Sequence, residues 1–179
     1  MSCSSLITIV PPGAEQYLGI FLRAVARSRV APAEVLVVYR GGPRAARLAD
    51  PGVVVRQLDF GAVSPATARD RAAATAGEDI LIFLDADCIP EPELVGVLSQ
   101  QAALTRGLVV ATPADPTPPS GCDPEAPLTR REGPPSHQER AFAIPKAVVE
   151  RFGGVAAGRA RAPRFQSGVC YRPAALSSR

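Results

Sequence analysis

The 179-residue sequence predicts an α/β fold around a mainly parallel sheet. Short apolar runs recur along the chain without polar alternation, as in strands covered on both faces. Segments of helical period separate them, and Pro, Gly and Ser mark most of the joints. Alternating strands and helices joined by right-handed crossovers give such a sheet.

Leu6 to Val10 (LITIV) is the first strand, stopped by Pro11-Pro12-Gly13. The segment AEQYLGIFLRAVARS then places Tyr17, Leu18, Phe21, Leu22 and Val25 at helical intervals. Ala33 to Tyr39 repeats the buried-strand pattern, and VVVRQL from Val53 is a shorter third strand. In SPATARDRAAATAGED, Ser64 is an N-cap, Pro65 takes the first helical position and Gly77 is the stop. Ile80 to Leu84 (ILIFL) follows as a further core strand.

PEPELVGVLSQQAAL reads as a helix with Pro90 and Pro92 at its entry, and GLVVATP as a strand. Pro113 to Pro135 holds eight prolines in 23 residues, which predicts a long, poorly ordered loop. RAFAIPKAVVERFGG resumes the fold as a short strand and a helix ending at Gly153-Gly154.

The apolar fraction of 46% suits one domain with a substantial core. Cys3, Cys88, Cys122 and Cys170 form no C-x-x-C pair, and His137 has no companion for a zinc site, so a reducing cytoplasm is expected. No leader or membrane-spanning run is apparent. The net charge of +3 comes from the last 25 residues, where Val155 to Arg179 carries five arginines and no acid. The remainder has 15 basic and 17 acidic side chains, a balance of −2. Without aromatic interleaving, this pattern argues against nucleic acid as a partner.

Asp85 and Asp87 follow directly on the apolar run Ile80–Leu84. Open α/β sheets bind ligands outside the carboxyl ends of their strands, so the two carboxylates point toward a ligand crevice. Paired there, they suit a hard divalent cation such as Mg²⁺ or Mn²⁺, which takes oxygen ligands and shares its shell with phosphate. The competing structural reading is that they cap the helix beginning near Pro90.

The succession LITIVPP, AEVLVVYRGG, ATARDRAAATAGEDILIFLDADCIPEPELV and FAIPKAVVERFGG resembles the family 2 glycosyltransferases over about 150 residues, most closely from Ala66 to Val95. The resemblance implies a GT-A, Rossmann-like three-layer fold, incomplete at the C-terminus. It implies metal ligation by Asp85 and Asp87, and nucleotide-sugar contacts from Pro11, Tyr39, Arg69 and Asp85. The A-R-N-x-G start of the family's helix corresponds to Ala68-Arg69-Asp70-Arg71-Ala72, which places Arg69 beside the nucleotide or its phosphates.

Two departures from the family pattern stand out. The family's V-V-D-D-G-S setting, whose aspartate meets the base, is replaced by VVYRGG, where Tyr39 could stack on a base and Arg40 meet phosphate. After Gly153-Gly154 the family continues to G-G-F-D-E and an E-D motif that supplies the general base. Residues 155–179 contain no carboxylate, and no residue is assigned that role. The chain therefore divides into a nucleotide-sugar-binding domain at 1–154 and a basic, disordered tail at 155–179. Such a tail is what a GC-rich coding region read out of frame would produce, so a truncated or frame-shifted member is expected.

The implied function is metal-dependent, inverting transfer of a sugar from a nucleotide-diphosphate donor to an acceptor hydroxyl. Membrane contact is expected only through a lipid-linked acceptor or a partner. The alternative is a relic that binds nucleotide, sugar or a partner without turnover. VPPGAEQYL lacks the glycine- and basic-rich loop of a nucleotidyltransferase, and no G-x-G-x-x-G follows any strand, which argues against a dinucleotide-dependent oxidoreductase.

Overall fold

The structure is a computed structural model and describes residues 3–41, 52–113, 129–130 and 140–173. Its elements are β1 (Ser4–Val10), α1 (Glu15–Ala26), β2 (Glu34–Tyr39), β3 (Val55–Asp59), α2 (Pro65–Thr75), β4 (Ile80–Leu84), β5 (Cys88–Pro90), α3 (Leu94–Thr105) and β6 (Leu108–Pro113). They continue through β7 (Thr129–Arg130), β8 (Ala141–Pro145), α4 (Lys146–Phe152), α5 (Val155–Arg161) and β9 (Arg164–Pro173).

The strands form one sheet in the order β3-β2-β1-β4-β8-β6-β9-β5, with β7 paired to β9. β1, β2, β3, β4, β6 and β9 run one way and β5, β7 and β8 the other, so six of nine strands share a direction and the sheet is mainly parallel. The residues of β1, β2 and β4 are all buried. Strands covered on both faces need no alternation, and their two faces feed two cores. Leu6, Val35, Val37, Ile82 and Leu84 pack with Phe21 and Leu22 of α1 and Leu94 and Leu98 of α3. Ile7, Leu36, Val38, Leu81 and Phe83 pack with α2, α4 and α5 on the other face.

α2 begins as its sequence dictates. Ser64 Oγ accepts from Thr67 N at 3.1 Å and Pro65 opens the helix. Its buried side chains are Ala68, Ala72 and Ala73, small enough for the helix to lie close to the sheet. The stop differs from expectation, because the chain leaves through Ala76 in extended conformation rather than through a left-handed Gly77. The Gly77 N–H then donates to Glu34 Oε1 at 2.7 Å. Glu34, 8% exposed, also accepts from Ser5 Oγ at 2.7 Å and Arg56 Nη1 at 2.8 Å. This network ties together the amino ends of β1 and β2 and the entry to β4.

The basic tail is not disordered over 155–173. Val155–Arg161 forms α5, and Arg164–Pro173 forms β9, paired with β5, β6 and β7. The composition misleads because the fold supplies what the segment lacks. Gly154, at φ 142°, offers α5 no capping side chain, so Asp70 of α2 caps it by accepting the Val155 N–H at 2.7 Å. A Cβ on Gly154 would sit 3.1 Å from that carboxylate. Val155, Val169 and Tyr171 complete the two cores. Most of the proline-rich loop, 114–128 and 131–135, lies outside the described residues, as do Cys122 and His137. Thr129–Arg130 pairs with β9, and Pro113 closes β6. Cys170 is disulfide-bonded, while Cys3 and Cys88 are free thiols.

Two outcomes test this packing. Asp70→Ala should lower stability by about 1 kcal/mol, the typical contribution of a helix cap, and speed hydrogen exchange in α5 more than in α2. Burial alone would raise the Glu34 pKa, but its bonds to Gly77, Ser5 and Arg56 outweigh that and hold it below the ordinary carboxylate range. Its stabilisation is therefore present above the unfolded-state pKa and is lost as pH falls through the lower folded value. Unfolding midpoints measured from neutral pH into acid should fall across that window, and Glu34→Gln should flatten the fall.

Candidate functional site

The site is assembled from loops at the carboxyl ends of the parallel strands. β4 delivers Asp85, Ala86 and Asp87 beyond its last buried residue. Ala86 and Cys88 turn into the core, and Asp85 and Asp87 are left half-exposed. The end of β1 contributes the turn Pro11-Pro12-Gly13, where Gly13 takes φ 89° and donates its N–H to Glu15 Oε2. Between these walls lies a cleft of about 460 Å³ that also reaches Tyr17 of α1, Arg40 beyond β2 and Arg69 of α2. A larger cleft of about 900 Å³ opens at the opposite, amino end of β4, lined by Glu78, Asp79, Arg106 and Arg151 among others. It lies away from the carboxyl ends where open α/β sheets bind ligands.

Arginines surround the aspartate pair. Arg69 Nη2 lies 3.9 Å from Asp85 Oδ1, and Arg140 Nη1 donates to Asp87 Oδ2 at 2.6 Å. Arg159 of α5 sits 4.5 Å from the Phe142 ring centroid, a cation–π distance, and acts electrostatically on Asp85. Burial raises the Asp85 pKa above the ordinary carboxylate range; Arg69 opposes this and the Asp87 charge adds to it. Burial likewise lowers the pKa of Arg69 and Arg159, with Asp85 opposing it in both. Burial, reinforced by the two aspartates, pushes the Cys88 thiol far up, so it is no nucleophile.

Of the residues expected at the site, Pro11, Arg69, Asp85 and Asp87 line the cleft together. Tyr39 does not. Its side chain is 1% exposed and packs with Val35 and Val37 on the core face shared with α1 and α3, so the ring is not available to stack on a base. The period-2 register of β2 carries that signal, since Val35, Val37 and Tyr39 fall on one face. Arg40, the next residue, reaches the cleft instead and donates from Nε to Val63 O at 2.9 Å. Tyr17 is the aromatic ring on the wall.

No sequence motif marks Arg140 and Arg159 as site residues. Arg140 immediately precedes β8, whose Ala141 pairs with Leu84, and this register brings it beside the aspartates. Arg159 lies in the segment expected to be disordered. Among the described residues the carboxylates lining the cleft are Asp85 and Asp87, and no general base joins them.

The donor set fits a hard divalent cation, because two carboxylates face an open cleft and, among the described residues, no sulfur or imidazole lines it with them. No group of three or more His, Cys, Asp or Glu side chains suited to a metal occurs among the described residues. A hard cation commonly completes its shell with phosphate oxygens and water. No helix among the described residues is long and apolar enough to cross a membrane.

The fold is similar to that of solved glycosyltransferases. S. aureus TarS 1–349 in complex with UDP superposes with a TM-score of 0.68 at 12% identity, covering 95% of this chain and 60% of that one. The mannosyltransferase PcManGT from Pyrobaculum calidifontis, in complex with GDP-Man and Mn²⁺, gives 0.69 at 16% identity, covering 99% and 58%. GalNAc-T7 with UDP, GalNAc and Mn²⁺ gives 0.70 at 14%, covering 96% and 42%. The chain thus spans about 60% or less of the length of these structures. No curated protein matches it. The model of Glycosyl transferase family 2 matches residues 13–162, which take in Gly13 of the turn, Arg69, both aspartates, Arg140 and Arg159, and the chain belongs to that family.

Proposed function

We propose that the chain binds a nucleoside-diphosphate sugar in the cleft at the carboxyl ends of β1 and β4 and transfers its glycosyl group to an acceptor hydroxyl by direct displacement, with inversion. The observation that carries this reading is the aspartate pair on a cleft wall ringed by arginines. Asp85 and Asp87 would hold a divalent cation, Mn²⁺ or Mg²⁺. Such a cation supplies Lewis-acid stabilisation of the departing diphosphate.

The protein's own side chains do the rest of the donor chemistry. Arg69 and Arg159 act on Asp85, and Arg40 also lines the cleft, so guanidinium groups can neutralise phosphate oxygens as negative charge builds on the leaving group. The Pro11-Pro12-Gly13 turn and Tyr17 form an apolar wall against which a base or sugar ring can lie. The complexes of TarS with UDP and of PcManGT with GDP-Man and Mn²⁺ support a nucleotide sugar as partner. A cytoplasmic setting, with a lipid-linked acceptor or a partner at a membrane, belongs to the same proposal. The disulfide at Cys170 counts against that setting, because a reducing cytoplasm does not sustain structural disulfides.

A second reading, donor binding without turnover, is favoured by the absence of a third carboxylate from the cleft among the described residues. NMR of donor consumption separates the two. Transfer or hydrolysis giving a product of inverted anomeric configuration supports the enzyme, retained configuration contradicts the inverting mechanism, and bound but unconsumed donor supports the second reading. Asp87→Ala should weaken Mn²⁺-dependent donor binding by more than about tenfold, at least what loss of a supporting metal contact costs. Its circular dichroism and melting point should stay near wild type, because Asp87 is half-exposed.

A further inference from the structure

Arg140 is fixed by its main chain, and its tip lies in a solvent-exposed ion pair. Its carbonyl accepts the Asp85 N–H at 3.0 Å, and its backbone is hydrogen-bonded to the buried Tyr171 of β9. The main chain therefore cannot drift relative to the aspartate pair. The guanidinium, in contrast, reaches Asp87 Oδ2 at 2.6 Å from a side chain 43% exposed, against 38% for its partner. An ion pair this open to water can be exchanged for another without unfolding anything.

Arg140 occupies Oδ2 of Asp87, one of the two side chains that would hold a divalent cation. At 2.6 Å the contact is a short charge-assisted hydrogen bond, whereas Arg69 stands off from Asp85 at 3.9 Å. The two aspartates thus differ. Asp85 faces cations at a distance, and Asp87 has one in contact.

We propose that Arg140 is a tethered counter-cation of the metal site, pairing with Asp87 while the cleft is empty and passing to the diphosphate when a divalent cation and nucleotide bind together. This rests on the reading of the cleft as a metal and diphosphate site. A monovalent cation attached to the chain competes with a divalent one from solution, so the free protein binds the metal weakly. A diphosphate offers the displaced guanidinium a new, bidentate partner. Nucleotide and metal therefore raise each other's affinity, and by linkage the factor is the same in both directions.

Electron paramagnetic resonance of Mn²⁺ binding, with and without UDP as the probe diphosphate, tests this in wild type, Arg140→Ala, Arg140→Gln and Arg140→Lys. Removing the competitor should tighten Mn²⁺ binding to the nucleotide-free protein by about fivefold in Arg140→Ala and Arg140→Gln, the upper end for a half-exposed pair. Arg140→Lys should stay near wild type, and the gain in Mn²⁺ affinity on adding UDP should shrink in the two neutral variants. The glutamine variant keeps the polar tip, so a folding defect in the alanine variant would not remove the test. Equal Mn²⁺ affinity in wild type and both neutral variants, with Asp87→Ala losing it, overturns the role of Arg140 and leaves the metal site standing. Failure of every variant to bind Mn²⁺, with or without UDP, overturns the metal reading itself.

Discussion

Placing two carboxylates at the end of a fully buried strand is the constraint on which the rest of the site depends. β4 lies between β1 and β8 with both faces covered, so Asp85 leaves the core into a partly desolvated position where burial pushes its pKa up. A charge there is tolerated only if opposite charge is brought to it. Three separate elements do so: α2 brings Arg69, the residue before β8 is Arg140, and α5 brings Arg159. Each depends on packing remote from the cleft. The alanine stripe of α2 sets how close Arg69 comes, and the Asp70 cap keeps α5 in place.

The charges do not merely cancel. Among the described residues the cleft lining carries Arg40 and Arg69 against Asp85 and Asp87, and Arg140 and Arg159 act on the aspartates from beside it. Guanidinium groups in a partly desolvated concavity attract multiply charged anions such as the proposed diphosphate. The apolar turn at Pro11-Pro12-Gly13 and the Tyr17 ring complete a wall suited to the uncharged parts of a nucleotide sugar. The opposite end of the sheet is built for stability, with Glu34 bonding to Ser5, Arg56 and Gly77.

What could be read from the sequence was what is encoded locally. β1, β2 and β4 announce themselves as uninterrupted apolar runs, Ser64-Pro65 marks a helix start, and the Asp85–Asp87 spacing at a strand end marks a cleft. What depends on tertiary partners was missed. The composition of 155–179 suggested disorder because α5 borrows its cap from Asp70 and β9 borrows its pairing from β5, β6 and β7. Tyr39 falls where the family pattern has its base-contacting aspartate, yet its register with Val35 and Val37 sends the ring into the core. Arg140 was invisible because its importance arises from antiparallel pairing with a strand 57 positions earlier, Leu84 against Ala141.

The central claim is that the cleft of Asp85 and Asp87 is a nucleoside-diphosphate site. Calorimetric titration of the purified chain with UDP, GDP and TDP, each with and without Mn²⁺, tests it most directly. At least one nucleotide is expected to bind, more tightly when Mn²⁺ is present. Absence of binding by all three, in a chain that circular dichroism shows to be folded, would contradict it.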